Sequence, residues 1–285
     1  MKKKILALVL AAVMVLSLAA CASSTPSTST PAASDATAST DTAASDAAET
    51  PAADAETPAA DGKTYTVGVC QLVQHDALDA ATQGFCDALT EALGDAVTID
   101  VQNASGDSVN CGTIVNGFVS KNVDLIMANA TPALTAAASA TADIPILGTS
   151  ITAYGVALDI ADFDGTVGGN ISGTSDLADL SAQAQMILDW FPDATKVGLL
   201  FCSAEPNSRY QIEEVAKYLA DKGVETEEFA FTDTNDVASV TQSAADYSDV
   251  VYIPTDNTAA ANTEAIGNVL IPAGVPAICG EEGIC

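Results

Sequence analysis

Residues 63–285 are predicted to adopt an α/β fold with two lobes, each built on a parallel sheet and joined by a hinge. Short apolar runs typical of buried strands alternate with helical patterns along this region. The alternation occurs twice, and a glycine-rich passage, GTVGGNISGTS at 165–175, separates the two series. Strands that alternate with helices favour parallel pairing with right-handed crossovers. Since about 220 residues can form two lobes of ordinary size, we expect two doubly wound lobes.

The first lobe is expected to span 63–165, with the hinge within 153–172. Its predicted strands are four apolar runs at 65–70 (YTVGVC), 97–101 (VTIDV), 123–127 (VDLIM) and 144–147 (IPIL). The first helical pattern places four apolar residues on one face, namely Leu78, Phe85, Leu89 and Leu93. The second pattern does the same with Ile114, Val115, Phe118 and Val119.

The second lobe is expected to span 166–285. Its first helix ends at Pro192 and carries the apolar residues Leu177, Leu180, Ile187, Leu188 and Phe191. A later helix is predicted from about Ser208 to Lys222, followed by Gly223 as the residue that ends it. The predicted strands lie at 197–201, 226–231, 249–253 and 276–279.

Residues 1–21 have the layout of a secretory signal, with three lysines before a short apolar run. The run is too short to favour a permanent membrane span. Its end, Leu18-Ala19-Ala20-Cys21, has the form of a bacterial lipobox, which predicts that Cys21 is lipidated. The alternative is an ordinary signal peptide with an incidental cysteine. Residues 22–62 have the composition of a disordered acidic Ala/Ser/Thr/Pro tether. We therefore expect an extracytoplasmic protein held at the cell membrane by a lipid.

Composition argues against several classes of function. The formal net charge of −29 and the single arginine, Arg209, argue against nucleic acid or anionic lipid as a partner, because both need a basic surface. The sequence contains no GxxxxGK, GxGxxG or GxSxG motif. The only histidine is His75, and no Cys/His cluster suggests a metal. We expect no cofactor and no enzyme activity. The alternative is an exported hydrolase that uses His75 with a nearby serine, and a surface adhesion protein ranks third.

Ligands of open α/β sheets bind beyond the carboxyl ends of the strands, so the loops that follow the strands are the candidate site. These loops are rich in hydroxyls, amides and carboxylates, and their only histidine is His75. Helix N-termini with Thr131, Thr149 and Ser150 would suit the carboxylate of a small zwitterion. Acidic residues would suit its amine, and the candidates are Glu205, Asp256 and Glu281. The alternative is that Thr131, Ser150, Asn207 and Asp256 only cap helices.

Several motifs resemble the ABC-transporter substrate-binding lipoproteins of the tryptophan/tyrosine-binding type. They are HDALD (75–79), DLIMANATPAL (124–134), DIPILGTSIT (143–152), GGNISGTSD (168–176), SAEPNS (203–208) and PTDNT (254–258). The resemblance runs from about residue 64 to the end of the sequence. It implies a type I periplasmic-binding fold with two Rossmann-like lobes that close on a ligand. It also implies an aromatic or other apolar amino acid as ligand and a membrane permease as partner. We expect the protein to be a monomer. One sequence does not separate tryptophan from tyrosine, a branched aliphatic or a nucleobase-like compound.

The resemblance also implies which residues line the ligand cleft. From the first lobe these are Gln71, His75, Thr131, Pro132, Thr149 and Ser150. From the second lobe they are Glu205, Asn207, Asp256 and Asn257. Relatives continue beyond the position of Cys285 with a strand and helix that return to the first lobe, so the sequence is expected to be C-terminally incomplete.

Six cysteines follow Cys21. Their spacing is irregular, and most are expected to be small buried hydrophobic residues. Cys279 and Cys285 are close enough in sequence for a disulfide, and the sequence leaves that question open.

Overall fold

The structure is a computed structural model that describes residues 62–285. The predicted signal segment, the lipidation site Cys21 and the predicted tether up to residue 61 lie outside the described residues. Among the described residues, no helix is long and apolar enough to cross a membrane.

The first described sheet has five parallel strands in the order β2-β1-β3-β4-β5. The strands are β1 (Tyr65–Gln71), β2 (Val97–Asn103), β3 (Leu125–Asn129), β4 (Ile146–Ile151) and β5 (Ile171–Ser175). The helices of this lobe are α1 (Asp76–Leu93), α2 (Ser108–Lys121), α3 (Thr131–Ala140) and the single turn α4 (Tyr154–Ala157), and Gly94–Ala96 form a 3₁₀ turn.

The second described sheet has four parallel strands in the order β7-β6-β8-β9. The strands are β6 (Lys196–Cys202), β7 (Glu225–Phe231), β8 (Val250–Ile253) and β9 (Ala277–Cys279). The helices are α5 (Leu180–Trp190), α6 (Pro206–Asp221), α7 (Val237–Tyr247), α8 (Asn257–Ala260) and α9 (Thr263–Ala273), and Glu282–Ile284 form a 3₁₀ turn. The predicted class, α/β with two parallel-sheet lobes, is confirmed.

Each lobe packs its helices on the buried faces of its central strands. In β1, five consecutive residues from Val67 to Gln71 are buried, as expected for a central parallel strand covered on both faces. Phe118 of α2 packs against Gly68, where a Cβ atom would lie within 2.8 Å of three ring carbons. In the second lobe, β6 is buried from Val197 to Cys202. Helix α6 ends at Asp221, one residue before the predicted Lys222, and Gly223 follows the C-cap residue Lys222 with φ 80°.

The predicted boundary between the lobes, at 165/166, is wrong. Strand β5 lies within the glycine-rich passage but pairs with β4, so it belongs to the first sheet. The first sheet therefore ends at Ser175, and the chain enters the second lobe through residues 176–179 before α5. This segment lies after the interval expected for the hinge. Leu177, which was expected on the first helix of the second lobe, lies in this segment and is exposed.

Two glycines explain why a strand with so few apolar residues can form at β5. Gly148 of β4 and Gly173 of β5 are register partners, and the Tyr154 hydroxyl fits beside them. That hydroxyl lies 3.0 Å from the carbonyl oxygen of Gly148 and 3.2 Å from that of Thr174. A Cβ atom at Gly173 would lie 2.1 Å from the Gly148 oxygen. Backbone contact thus replaces side-chain burial as the force that holds this strand.

We expect Gly173→Ala to destabilise the protein by about 2–4 kcal/mol, because the added methyl group collides with the backbone of β4. Gly84→Ala in α1 is the matched control, since its added methyl group meets nothing within 4 Å. It should stabilise by about 0.5–1 kcal/mol through the better helix propensity of alanine. Urea unfolding of both variants measures the difference. Equal unfolding midpoints for the two variants would contradict this account of β5.

Candidate functional site

A cavity of about 260 Å³ lies where the carboxyl ends of the two sheets meet. The first lobe lines it with residues that follow β1 and β5 and with Ser150 near the carboxyl end of β4, and the second lobe lines it with residues that follow β8 and β9. The lining residues are His75, Ala77, Leu78, Ser150 and Asp176 on one side and Thr255, Asp256, Asn257, Gly280 and Glu281 on the other. Among the described residues, no lysine or arginine lines it.

A larger groove of about 440 Å³ lies between α2, α3 and the start of α6. Its lining consists of small and hydroxyl-bearing side chains, together with Asn116 and two prolines, without a charged group from the described residues. Because the smaller cavity combines carboxylates, a helix N-terminus and strand ends from both lobes, we take it as the candidate site.

The first turn of helix α1 forms one wall of the cavity through Ala77 and Leu78. His75 occupies the N-cap position, and within the described residues no side chain caps the helix there. The first N–H groups of a helix have no partner inside it, and an 18-residue helix adds its dipole. This wall therefore suits a carboxylate.

A buried polar network fixes α1 against the sheet. The Gln71 amide nitrogen donates to the Val73 carbonyl oxygen (2.8 Å) and to the Asp79 carboxylate (2.6 Å), and its oxygen accepts from Thr82 (2.6 Å). Asn129 at the end of β3 donates to the Leu78 carbonyl oxygen (2.8 Å) and to Thr82 (2.9 Å). Gln71 was predicted to face the ligand. Its amide is instead used inside the first lobe, where it positions the helix that borders the cavity.

The ends of the neighbouring strands β3 and β4 carry backbone strain. Ala130 has φ 86° and Ser150 has φ 55°, values that non-glycine residues rarely adopt. Thr131 begins α3 directly after this strained residue, and its buried hydroxyl oxygen has no hydrogen-bond partner among residues 62–285. Strain of this kind at strand ends is typical of functional sites.

Asp176 is the acidic residue that the first lobe contributes to the cavity. It directly follows β5 and is exposed to solvent, although the protein atoms around its carboxylate partly desolvate it. Burial raises the pKa of its carboxyl group, and the Thr152 hydroxyl acts in the opposite direction. The sequence interpretation missed Asp176, although it is the final letter of the GGNISGTSD motif. Its position directly after a strand could not serve as a signal, because β5 itself was not predicted from the sequence.

Glu205 connects two helix N-termini of the second lobe. It is only 2% exposed. One carboxylate oxygen accepts from the Asn257 amide group (2.6 Å) and the Asn257 backbone N–H (3.1 Å), and the other accepts from the Thr258 backbone N–H and hydroxyl (2.8 Å each). Asn207 also donates to this carboxylate (3.3 Å). Glu205 was predicted to face the ligand, but the structure uses it to hold α6 and α8 together.

Asp256 borders the cavity but does not offer its carboxylate to it. The residue is 1% exposed, and its two oxygens accept from the backbone N–H groups of Cys202 (2.7 Å) and Ala259 (2.8 Å). Burial first, and then the neighbouring Glu205, raise the pKa of Asp256, whereas its hydrogen-bond donors lower it. The predicted role as amine acceptor is therefore corrected: the side chain caps α8, as in the capping alternative.

His75 and Asn257 form a hydrogen bond between the two lobes, with 3.3 Å between the histidine Nε2 and the asparagine Oδ1. The amide nitrogen of Asn257 donates to Glu205, so its oxygen must face His75. His75 Nε2 therefore carries the proton in this arrangement. An amide oxygen is not a nucleophile, so this contact gives no support to the alternative of a hydrolase that uses His75 with a serine.

The remaining predicted site residues lie near the cavity, but only some of them line it. Ser150 lines it, and Thr149 beside it lies 3.4 Å from the hydroxyl of Thr174. Pro132 lines the larger groove instead. Asn207 is buried, and its amide nitrogen donates to the Thr255 carbonyl oxygen (3.2 Å). In the described part of the chain, no group of three or more His, Cys, Asp or Glu residues could hold a metal ion.

Two parallel α/β lobes that meet around a small polar cavity define a two-lobed ligand-binding protein. Residues 66–285 match the family described as ABC transporter substrate binding protein. The chain belongs to this family, and its fold is that of the type I periplasmic binding proteins.

Similar proteins include a tyrosine-binding protein of Clostridioides difficile (strain R20291), which is 34% identical over 224 residues. This match covers 78% of the chain, and the chain spans 65% of that relative's length. A crystal structure of an ABC domain from Streptococcus pneumoniae in complex with L-Trp is 31% identical, with a TM-score of 0.73. A ligand-free, open structure of a substrate binding protein with adhesive properties from Clostridium difficile is 33% identical, with a TM-score of 0.53. Both structural matches cover 78% of this chain and 76% of the other.

We expect Glu205→Gln to destabilise the protein by about 2–4 kcal/mol, because an amide in place of the buried carboxylate leaves N–H donors without an acceptor. Glu213→Gln on the exposed side of the same helix is the control, and it should change stability by less than about 0.5 kcal/mol. Urea unfolding measures both variants. If Glu205→Gln unfolds at the same urea concentration as the unchanged protein, the network does not have the role assigned to it here.

Proposed function

We propose that this protein is the extracytoplasmic solute receptor of an ABC importer, and that it binds an aromatic or other apolar amino acid in the cavity between its lobes. The observation that carries this proposal is the chemistry of the cavity walls. An uncapped helix N-terminus borders the cavity on one side, and Asp176 and Glu281 line it on others, with the Glu281 carboxylate also accepting from the Gly283 backbone N–H (3.1 Å). A zwitterion matches these walls, because its carboxylate suits the helix N-terminus and its ammonium group suits the acidic residues.

The ligand is oriented by its two charged groups. Its carboxylate lies at the first turn of α1, where the N–H groups at the start of the helix donate to it, and the Ser150 hydroxyl lies in the same cavity. Its ammonium group lies against Asp176, with Glu281 from the second lobe as the other acidic neighbour. Ala77 and Leu78 supply the apolar surface.

The volume of the cavity favours a small ligand. At about 260 Å³ it lies below the roughly 300–1,000 Å³ typical of pockets for drug-sized ligands. The named ligands of two relatives, tyrosine and L-Trp, are of this kind and support an amino acid. Leucine- and isoleucine-binding proteins among the structural neighbours support the fold alone.

Hinged closure of the lobes is the mechanism of binding. The hydrogen bond from His75 to Asn257 exists only when the two lobes are close together. The chain superposes better on the L-Trp complex than on the open, ligand-free relative, at equal coverage. A ligand stabilises the closed form only by binding it more tightly than the open form.

The closed receptor then delivers its ligand to a membrane permease. In this proposal, lipidation of Cys21 holds the protein at the outer face of the membrane, and the segment at 22–62 tethers the lobes to it. The receptor acts as a monomer without a cofactor or a catalytic step. These features come from the sequence of the N-terminal region and from membership of the family.

Thermal unfolding in the presence of each amino acid tests the function. A ligand at about 100 times its dissociation constant adds about 2.7 kcal/mol of stability, which raises the unfolding midpoint clearly. We expect a shift with aromatic or large apolar amino acids and none with purines or sugars. A shift with purines or sugars alone would overturn the assignment of the ligand class.

We expect Asp176→Asn to weaken amino-acid binding about 10-fold or more, because a charge-assisted hydrogen bond to the ammonium group is lost. Asp143→Asn is the matched control, since Asp143 is exposed before β4, at the end of the sheet away from the cavity. Calorimetric titration of both variants measures the effect. Equal affinities would remove Asp176 from the site.

The pH dependence of binding gives a second readout for Asp176. Affinity should fall as the pH falls through the pKa of this carboxyl group, and the loss should begin above the usual aspartate range of about 3.9 because burial raises the pKa. Without ligand, the stability of the folded protein depends on pH in the opposite direction. The raised pKa favours the protonated folded form, so the contribution of Asp176 to stability is present at low pH and is lost as the pH rises through the folded pKa. Asp176→Asn should remove both effects.

A further inference from the structure

A single hydrogen bond joins the two lobes among residues 64–285, apart from those of the connecting segment 176–179. It runs from the His75 Nε2 of the first lobe to the Asn257 Oδ1 of the second, over 3.3 Å. The ion pairs in this part of the chain each lie within one lobe. Helix α6 also packs against α3 and α4 of the first lobe. Closure of the lobes therefore forms one directional polar bond, and this bond lies at the candidate site.

The acceptor of this bond is oriented by contacts inside the second lobe. The Asn257 amide nitrogen and backbone N–H both donate to the Glu205 carboxylate, at 2.6 and 3.1 Å. Neither contact depends on the first lobe, so both persist when the lobes separate. The amide group cannot turn over without losing its bond to a buried carboxylate. Its oxygen is therefore presented toward the first lobe in the open and in the closed form.

The donor is held by its position in the first lobe. His75 is the N-cap residue of α1, with an extended backbone (φ −160°, ψ 164°), and its side chain does not cap the helix. Among residues 64–285, its ring makes no hydrogen bond other than the one to Asn257. The only histidine of the chain thus uses its side chain for a contact with the opposite lobe.

The bond also lies beside two cavities. His75 lines the candidate-site cavity of about 260 Å³ and a second cavity of about 220 Å³. The second cavity lies mainly between the start of α1 and the connection from α8 to α9, where Ala260 and Ala261 line it. Because His75 borders both cavities and Asn257 borders the first, the bonded pair forms part of the wall between them. Breaking the bond would open this side of the candidate site.

We propose that the hydrogen bond between His75 and Asn257 is a latch that forms without ligand, favours the closed arrangement of the empty lobes and slows the release of a bound ligand. Each partner is held within its own lobe, so the latch needs no group from the ligand. One such bond changes the ratio of closed to open protein by a factor of about 2 to 10. The effect on release rests on the proposed function, whereas formation of the latch does not.

Nuclear magnetic resonance tests the latch without any ligand. Because His75 is the only histidine, isotope labelling of histidine nitrogen in the full chain gives signals from this ring alone. An imidazole proton is visible only if a hydrogen bond slows its exchange with water. We expect a visible Nε2 proton in the folded, unliganded protein and its loss in urea. A folded, unliganded protein without this signal would overturn the proposal.

Release rates test the consequence, with L-Trp, the named ligand of one relative, as the probe. In stopped-flow dilution we expect L-Trp to leave His75→Ala about 3- to 10-fold faster than the unchanged protein. Gln74→Ala is the matched control, since Gln74 is exposed and its side chain makes no hydrogen bond among residues 64–285. His75→Gln should restore slow release, because the amide nitrogen of glutamine lies as many bonds from Cα as the histidine Nε2.

The outcomes separate the latch from the function. Equal release rates from His75→Ala and Gln74→Ala would overturn the role of the latch. Fast release from His75→Gln as well as His75→Ala would indicate that the imidazole ring contacts the ligand itself, and would also overturn it. A visible Nε2 proton together with no binding of any amino acid would support the latch and count against the proposed function.

Discussion

The buried carboxylate of Glu205 is the interaction on which the second half of the site depends. A carboxylate without water costs several kcal/mol unless its oxygens are saturated with donors, and five donors in the described residues meet this requirement. Four of them come from Asn257 and Thr258 at the start of α8. Because the same carboxylate also stands at the N-terminus of the 16-residue α6, it receives favourable dipole interaction as well. The orientation of the Asn257 amide follows from this arrangement, and that orientation makes its oxygen the acceptor for His75.

Parallel topology explains why the remaining site residues converge. In a parallel sheet all carboxyl strand ends lie at one edge, so residues at or just after the carboxyl ends of five different strands surround a single cavity. The first lobe adds two distortions at this edge, at Ala130 and Ser150. It also adds the glycine pair that lets β5 approach β4, which brings Asp176 to the cavity. The first wall of the site is thus built by backbone geometry, and the second wall by a buried charge network.

This contrast also explains what the sequence could predict. The fold class and eight of the nine described strands follow from apolar runs, because buried parallel strands need them. Strand β5 escaped detection because glycine contacts, rather than apolar side chains, stabilise it. Asp176 was missed with it. Gln71, Glu205 and Asp256 were predicted to face the ligand, but polar residues at strand ends and helix starts either bind ligands or satisfy backbone donors, and sequence alone does not separate the two uses. Only the hydrogen-bond partners in the structure distinguish a ligand-binding residue from one that satisfies backbone donors.

The distribution of charge around the cavity imposes a condition on any ligand. The chain carries a formal charge of −29, and Asp176 and Glu281 place further negative potential inside the cavity. A ligand with a carboxylate and no amine would be repelled by this negative potential. Only the N-terminus of α1 would attract it. A simple amine would satisfy the carboxylates but leave the first N–H groups of α1 unpaired as water is excluded. An unpaired buried polar group costs about 1–3 kcal/mol. A ligand that lacks either the carboxylate or the ammonium group therefore binds more weakly. A molecule with both groups on one carbon avoids both penalties, and the remaining selectivity then depends on how its side chain fits against Ala77 and Leu78.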